Sequence, residues 1–314
     1  MKFFDNIRAY NSMFSFTSMG GKVDTSINKG NAPYVFKLKG TNYHRIGSLL
    51  PTSGNSPKFS QLYIYDTEHE VENRINVMSN RSKPSRNSLD VSIINDLKNM
   101  LDDNNSLVKS FRMVRERFQS DSDIRLRLKL IGEREFDGRI YNLPTVGEVA
   151  ALIVGDFDES FNQRDVIVET RTGLLKRISE LHPSYLSLQY PLLFPYGEDG
   201  YRVGIQHSDA SSVRCTKRNK LTIREFFAFR IQERKHEAKT LLFSRRLFQQ
   251  ILVDGYTMVE SERISYIKNN QSTLRSEKYT KLNAAVSRGE TTPSSTGQRI
   301  FMPTSFTGGA RYMM

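Results

Sequence analysis

The stretch HPSYLSLQYPLLFPYGEDGY, residues 182–201, decides the architecture that the sequence predicts. Its three prolines fix φ and remove backbone donors, so we expect neither a long helix nor a central strand to run through it. It also carries four leucines, one phenylalanine and four tyrosines. A linker would not leave so much apolar surface in water, at about 25 cal/mol per Å². We therefore predict an ordered, buried connection between a mixed α+β half before it and a basic helical half after it.

Hydrophobic periodicity predicts an α+β fold. We expect a small β-rich N-terminal module over residues 1–88, a mixed α/β region over 89–215, and a basic helical segment from 216 to 314. Alternating apolar positions predict strands, whereas spacings of three and four predict helices. The strands are predicted at 33–39, 59–66 and 124–130, and the helices at 91–101 and 107–118. A capping box at Thr145–Glu148 predicts a short helix through Val154, and 164–178 reads as a hairpin.

The charge balance favours phosphate-rich partners. The chain has 46 Lys and Arg against 34 Asp and Glu, a net charge of +12 and a pI of about 9.7. Nucleic acid is the first class of partner that such a charge suggests, and an anionic membrane surface is the second. The single cysteine, Cys215, excludes an internal disulfide framework and a cysteine-based zinc site, and fits a reducing compartment. No run of about 18 apolar residues is present, so we expect no membrane span.

Most of the net charge falls on one segment. Residues 211–250 contain eleven basic and three acidic side chains, a net charge of +8. Thr222 and Glu225 form a capping box, and the apolar residues behind them keep helical spacing as far as Asp254-Gly255. We predict one long amphipathic helix, or two stacked ones, that ends there and turns its basic side chains outward. The candidate nucleic-acid-binding residues are Arg214, Lys217, Arg218, Lys220, Arg224, Arg230, Arg234, Lys235, Arg245 and Arg246.

Several blocks resemble a known family. The stretch 182–201 resembles the segment that precedes the helicase-like N-terminal domain of plant-type Helitron transposases. REFFAFR at 224–230, RLFQQ at 246–250, VDGYTM at 253–258 and SFTGG at 305–309 resemble the opening of that domain. Residues 34–39, 43–47 and 59–66 resemble the region upstream in the same proteins. The resemblance implies that 216–314 is the start of this domain, in an N-terminal fragment truncated before the nuclease motifs.

The family resemblance implies a rolling-circle replication initiator fused to a helicase. In such proteins a His-hydrophobic-His pair holds a divalent metal, a tyrosine attacks the DNA phosphodiester, and the helicase uses ATP and Mg²⁺. This sequence has no His-x-His, no Tyr-x-x-x-Tyr and no Gly-x-x-x-x-Gly-Lys-Ser/Thr loop. We therefore expect no catalytic residue and no cofactor in this chain. We expect a nuclear protein that is no enzyme itself, holds the backbone of single-stranded DNA, and is joined to the remainder of the transposase polypeptide.

Two other functions stay open on the residues alone. Glu225, Asp156 and Asp158 could replace the missing metal ligands of a nuclease, but helix caps and solvated turns are the better explanation of these carboxylates. The chain could also be a non-enzymatic interaction module or a decayed transposon gene product. His207 and Cys215 lie near the basic segment, but two such ligands do not make a metal site. DNA binding without plasmid nicking would favour the first reading over the nuclease.

Overall fold

The computed structural model describes residues 2–29, 33–39, 42–79, 89–120, 126–132, 150–154, 166–169, 174–206, 220–235 and 239–274. The chain forms two compact units, Met1–Gly255 and Tyr256–Met314. Within the described ranges, no helix is both long enough and apolar enough to span a bilayer. The division into regions 1–88, 89–215 and 216–314 stays a prediction.

Helices and short strands are mixed along the chain, which confirms the α+β class. The described helices are α1 Lys2–Asp5, α2 Ile7–Phe14, α3 Glu70–Ser79, α4 Val91–Asn104, α5 Ser106–Ser120, α6 Tyr185–Gln189, α7 Ile223–Arg230, α8 Arg246–Asn269 and α9 Gln271–Leu274, with 3-10 turns at Phe59–Tyr63 and Thr67–His69. The described strands are β1 Ser18–Met19, β2 Lys22–Val23, β3 Leu38–Lys39, β4 His44–Ile46, β5 Leu126–Leu130, β6 Ala150–Val154, β7 Val166–Glu169 and β8 Lys176–Arg177.

The described strands form three small antiparallel sheets, in the orders β1-β4-β8, β2-β3 and β6-β5-β7. The third sheet confirms the alternation predicted for β5. Leu126, Leu128 and Leu130 are buried, whereas Arg127 and Lys129 lie on the half-exposed face. Alternate side chains of a strand point to opposite faces, so one face of β5 enters the core.

Several local predictions were wrong. Residues Phe59–Tyr63 form a 3-10 helix instead of a strand, because Phe59 and Asp66 have positive φ values of 53° and 49°, which no extended strand allows. Residues Ala150–Val154 form a strand instead of a helix, since they pair along the whole of β5. The predicted hairpin at 164–178 is absent, because β7 pairs with β5 while β8 pairs with β4. Residues 145–149 and 170–173 lie outside the described residues.

The proline- and tyrosine-rich stretch is buried and ordered, as predicted. Only five of its residues are helical, those of α6. Its backbone bonds to distant elements: the Leu188 carbonyl accepts from the Phe16 amide at 2.8 Å, and the Phe194 carbonyl accepts from Asn105 Nδ2 at 3.2 Å. Gly197 has φ +70°, and a Cβ there would lie 2.6 Å from Ser106 Oγ, so glycine is required. The stretch therefore joins α2 to the junction of α4 and α5.

A buried arginine anchors the helices beside this stretch. Arg74 is fully buried, with its guanidinium 4.4 Å from the ring centroids of both Phe14 and Tyr63. It donates to Glu70 Oε1 from Nε at 2.8 Å and from Nη2 at 2.6 Å, and it also donates to the Met13 carbonyl. A second arginine, Arg112, bonds the other oxygen of Glu70 at 2.8 Å. Both oxygens of this buried carboxylate are therefore neutralised.

Candidate nucleic-acid interface

Seven of the ten predicted contact residues lie in the described part of the chain. The other three, Arg214, Lys217 and Arg218, lie outside it. The contacts divide the seven into two groups. Five lie on or beside α7: Lys220, Arg224, Arg230, Arg234 and Lys235. The remaining two, Arg245 and Arg246, lie at the start of α8.

The start of α7 is held by the predicted capping box. The Thr222 side chain accepts from the Glu225 amide at 3.3 Å, and Glu225 Oε2 accepts from the Thr222 amide at 2.9 Å. These bonds satisfy two backbone donors that the first turn would leave without partners. Ile223 is fully buried behind them, and Tyr201 donates its hydroxyl to the Leu221 carbonyl at 3.2 Å. The cap also occupies Glu225, a member of the alternative nuclease set, whereas Asp156 and Asp158 lie outside the described residues.

Of the two predicted alternatives, one long helix or two helices, the structure has two helices. Helix α7 ends at Arg230, and α8 begins only at Arg246, after a run of turns in the described residues between them. The predicted end at Asp254-Gly255 is wrong, because α8 continues through both residues to Asn269. Asp254 has no exposed surface, and a Cβ at Gly255 would lie 2.9 Å from the Phe227 ring. The Asp-Gly pair therefore does not end the helix. Gly255 allows close packing against Phe227, and Asp254 takes part in a buried hydrogen-bond network.

Replacing Gly255 by alanine should destabilise the protein by up to about 2 kcal/mol. The added methyl group must displace the Phe227 ring, at a cost of about 1–3 kcal/mol, which outweighs the helix-propensity gain of about 1 kcal/mol. Urea unfolding followed by circular dichroism measures the change. The double variant Gly255→Ala/Phe227→Leu should recover part of the loss, and Ser261→Ala on the same helix should stay within about 0.5 kcal/mol of the parent. A stabilising Gly255→Ala would contradict the close approach.

Two arginines of α7 and its following turn lie over aromatic rings. Arg230 Cζ is 5.0 Å from the centroid of Phe194, in the buried stretch, and Arg234 Cζ is 3.8 Å from the centroid of Phe229. Arg234 also donates to the Phe229 carbonyl. Cation–π contacts hold a guanidinium in place without neutralising its charge. These contacts fix the positions of both guanidinium groups.

Three basic side chains beside α7 are exposed and form no salt bridge with any described residue: Lys220, Arg224 and Lys235. Lys239 differs, because it pairs with Glu233, whose pKa it lowers through that hydrogen bond and its charge. The Phe229 ring is 55% exposed, and Arg234 lies over it. We define the α7 surface as Lys220, Arg224, Phe229, Arg234 and Lys235.

The second group is held by N-terminal residues. Arg245 has φ 49° and forms a salt bridge with Asp5, so an acidic neighbour neutralises its charge. Arg246 Cζ lies 4.3 Å from the centroid of Tyr34. No contact in the described parts of the chain joins either side chain to the α7 surface. The sequence predicted a single outward basic face, but the structure divides these basic residues into two groups, one at α7 and one at the start of α8.

The unit Met1–Gly255 contains a buried polar network that the sequence did not predict. Asp254 accepts from Tyr190 Oη at 2.6 Å, from Asn42 Nδ2 at 2.6 Å, and lies 2.7 Å from His44 Nε2. Burial, and then the charge of Asp254, raise the pKa of Tyr190 well above its ordinary value, so its hydroxyl stays a donor. The His44 ring stacks on Tyr185 at 3.9 Å. No local pattern signals this network, since its members are up to 212 positions apart.

Comparison with known proteins supports one family. In the described ranges, no group of three histidine, cysteine, aspartate or glutamate side chains could hold a metal ion. Searches of curated proteins and of solved structures gave no match. Residues 226–314, which include most of α7 and all of α8 and α9, match the family model described as "Helitron helicase-like domain at N-terminus". Residues 226–314 are therefore similar to the helicase-like domain found at the N-terminus of Helitron proteins.

Proposed function

We propose that the α7 surface binds the phosphate backbone of DNA, and that this chain contributes binding but no bond cleavage. The observation that carries the proposal is a set of exposed cations, Lys220, Arg224 and Lys235, that form no salt bridge with the described residues, next to and within a segment that matches a Helitron domain. Lysine and arginine that neutralise phosphates release counterions, which supplies most sequence-independent affinity for DNA. A net charge of +12 adds long-range attraction.

The exposed ring of Phe229 favours single-stranded DNA as the partner. Proteins that bind single strands combine a basic surface with aromatic side chains on which bases stack, at about 1–3 kcal/mol per base. Arg234 lies over the same ring, so cation and aromatic ring act at one place. In a duplex the bases are already stacked on each other and do not reach such a ring. We therefore expect tighter binding to a single strand than to the matching duplex.

The proposed lack of catalysis rests on the sequence. The sequence has neither the His-x-His nor the Tyr-x-x-x-Tyr pattern that metal-dependent nicking would use in this family. It also lacks the Gly-x-x-x-x-Gly-Lys-Ser/Thr pattern that ATP hydrolysis would use. Nicking of a supercoiled plasmid in manganese, abolished by a chelator, would contradict the proposal. The lack of a cofactor and the nuclear location stay predictions.

Removing three charges from the α7 surface should weaken DNA binding in a salt-dependent way. We expect the triple variant Lys220→Ala/Arg224→Ala/Lys235→Ala to bind less tightly to single strands of any sequence. The slope of log affinity against log salt should fall by about 2, since each lost phosphate contact removes about 0.7. Fluorescence polarisation with a labelled single strand, between about 50 and 200 mM salt, measures both quantities.

A matched control variant distinguishes the loss of this binding site from a general loss of net positive charge. The control triple Lys58→Ala/Lys109→Ala/Arg117→Ala removes the same charge from exposed side chains on other elements. Its slope should stay close to that of the parent. An equal fall in both triple variants would mean that only overall charge attracts DNA. A parent protein that binds no single strand at low salt would refute the proposed function.

A further inference from the structure

The β2–β3 hairpin turns three lysines to one face. In its register Lys22 lies directly opposite Lys39, and the Asp24 amide donates to the Lys37 carbonyl at 2.8 Å. Directly opposed residues, and residues two apart on a strand, point to the same face. Lys22, Asp24, Lys37 and Lys39 therefore share a face. We call the three lysines the lysine face.

One carboxylate only partly neutralises this face. Asp24 lies 3.3 Å from Lys39 Nζ and 3.6 Å from Lys37 Nζ, and it also accepts from the amide and hydroxyl of Ser26 at 3.0 and 2.6 Å. Lys22 forms no salt bridge with the described residues. Like charges opposite each other destabilise a strand pair, so the placement of Lys22 against Lys39 costs stability in the free protein. A bound anion would remove that cost.

Packing on the other side orients the lysine face outward. Phe36 is buried, and Val23 and Leu38 are half-buried. The side chains of Lys37 and Lys39 are 51% and 63% exposed. The apolar face thus fixes the hairpin against the protein, and the lysines extend from a supported β-ribbon.

The segment that leads into β3 also contacts one of the predicted DNA-binding residues. Tyr34 lies three residues before Lys37, and Arg246 lies over its ring at 4.3 Å. Arg8 donates to the Tyr34 hydroxyl at 2.9 Å, and Gln249 Nε2 donates to its carbonyl at 3.3 Å. Neither arginine forms a salt bridge within the described ranges. Positive charge therefore continues from the ribbon to the start of α8.

We propose that the lysine face is a second contact surface for the DNA phosphate backbone, separate from the α7 surface. The identification of the bound polyanion as DNA rests on the proposed function. Lysine binds phosphate as a point charge, and a two-stranded ribbon is an established shape for lying along nucleic acid. Surface binding to a membrane would call for an amphipathic helix with a large apolar face, which this hairpin does not offer. The ribbon therefore adds backbone affinity without reading bases.

The test compares three triple variants of the full chain. Lys22→Gln/Lys37→Gln/Lys39→Gln should lower the salt slope by about 2 on a labelled single strand, or by up to about 2.7 on the matching duplex. The α7 triple variant and the control triple are titrated beside it. A parent-like slope in the lysine-face variant on both DNA forms would overturn the inference while leaving the proposed function intact.

Other outcomes are equally decisive. A loss in the lysine-face variant without a loss in the α7 variant would keep the inference and refute the α7 surface as the site. A parent that binds neither DNA form refutes both. Parent-like DNA binding together with lost binding to phosphatidylserine vesicles would replace DNA by a membrane and overturn the inference.

A gain-of-binding variant guards against misfolding as an explanation. Asp24→Asn keeps the side-chain oxygen that accepts from Ser26 but removes the charge that pairs with Lys37 and Lys39. We expect it to bind DNA more tightly than the parent at low salt, with a steeper salt slope. Unchanged or weaker binding by Asp24→Asn, in a variant with parent-like circular dichroism, would count against the lysine face.

Discussion

Asp254→Ala is expected to lower the free energy of unfolding of the unit Met1–Gly255 by about 3–5 kcal/mol. The carboxylate has no exposed surface and accepts from Tyr190 and Asn42, with the His44 ring 2.7 Å away. Alanine would leave these three polar groups buried without that partner. Unsatisfied buried groups cost about 1–3 kcal/mol each, so the loss should far exceed that of an ordinary helix substitution.

Urea unfolding followed by circular dichroism measures this loss, since the chain has no tryptophan to report it by fluorescence. A graded series tests the mechanism. Tyr190→Phe removes one donor and should cost about 1–2 kcal/mol, and Asp254→Asn should fall between that and Asp254→Ala, because its amide would face other donors. Glu260→Ala, at an exposed position of α8, should stay within about 0.5 kcal/mol of the parent. If Asp254→Ala cost less than about 1 kcal/mol, the network would not hold the unit together.

The same network bears on where the Helitron domain begins as a folding unit. The match to the family starts at residue 226, yet Asp254 takes its partners from residues 42, 44 and 190. The ring of Phe194, before the match, also lies under Arg230 within it. Residues 1–225 therefore supply contacts that stabilise α7 and the first part of α8. A segment cut at residue 226 would lose all of these partners.

Elements whose pattern is local could be predicted from the sequence. The helices α4 and α5 and the strand β5 follow their apolar spacing, and the cap of α7 follows from Thr222 and Glu225 three positions apart. The burial of residues 182–201 follows from composition, because that much apolar surface has no other favourable place. Each of these predictions needed only neighbours in the chain.

Elements decided by distant partners could not be predicted. The apolar run at 150–154 fits a helix or a strand equally well, and only its pairing with β5 decides. Asp254-Gly255 looks like a helix end, but Phe227 and the buried partners of Asp254 explain the pair within the helix. The candidate binding residues were predicted from their charge alone. Charge could not show that Arg245 pairs with Asp5, or that Lys22, Lys37 and Lys39 share a face.

Arg74→Ala is expected to destabilise the same unit by about 3–5 kcal/mol, measured by urea unfolding at neutral pH. The change removes a buried charge that bonds Glu70 and the Met13 carbonyl, and it empties the space between the rings of Phe14 and Tyr63. Arg74→Lys keeps the charge but lacks the planar fork, so it should recover only part of the loss. The control is Lys98→Ala, since Lys98 and Asp102 form an equally spaced pair that is partly exposed. That control should cost no more than about 1 kcal/mol.

The acid dependence of stability should follow Glu70. Burial raises the pKa of its carboxyl, but the charges of Arg74 and Arg112 outweigh burial, so the pKa lies below its ordinary value of 4.5. The unfolded chain therefore takes up the proton at a higher pH than the folded one. The stabilisation from this group is complete above about pH 4.5 and is lost as the pH falls through the folded pKa. In Arg74→Ala only Arg112 still lowers that pKa, so the stability lost on acidification should be smaller than in the parent. An acid dependence equal to that of the parent would mean that Arg74 contributes packing and hydrogen bonds but no net charge stabilisation of Glu70.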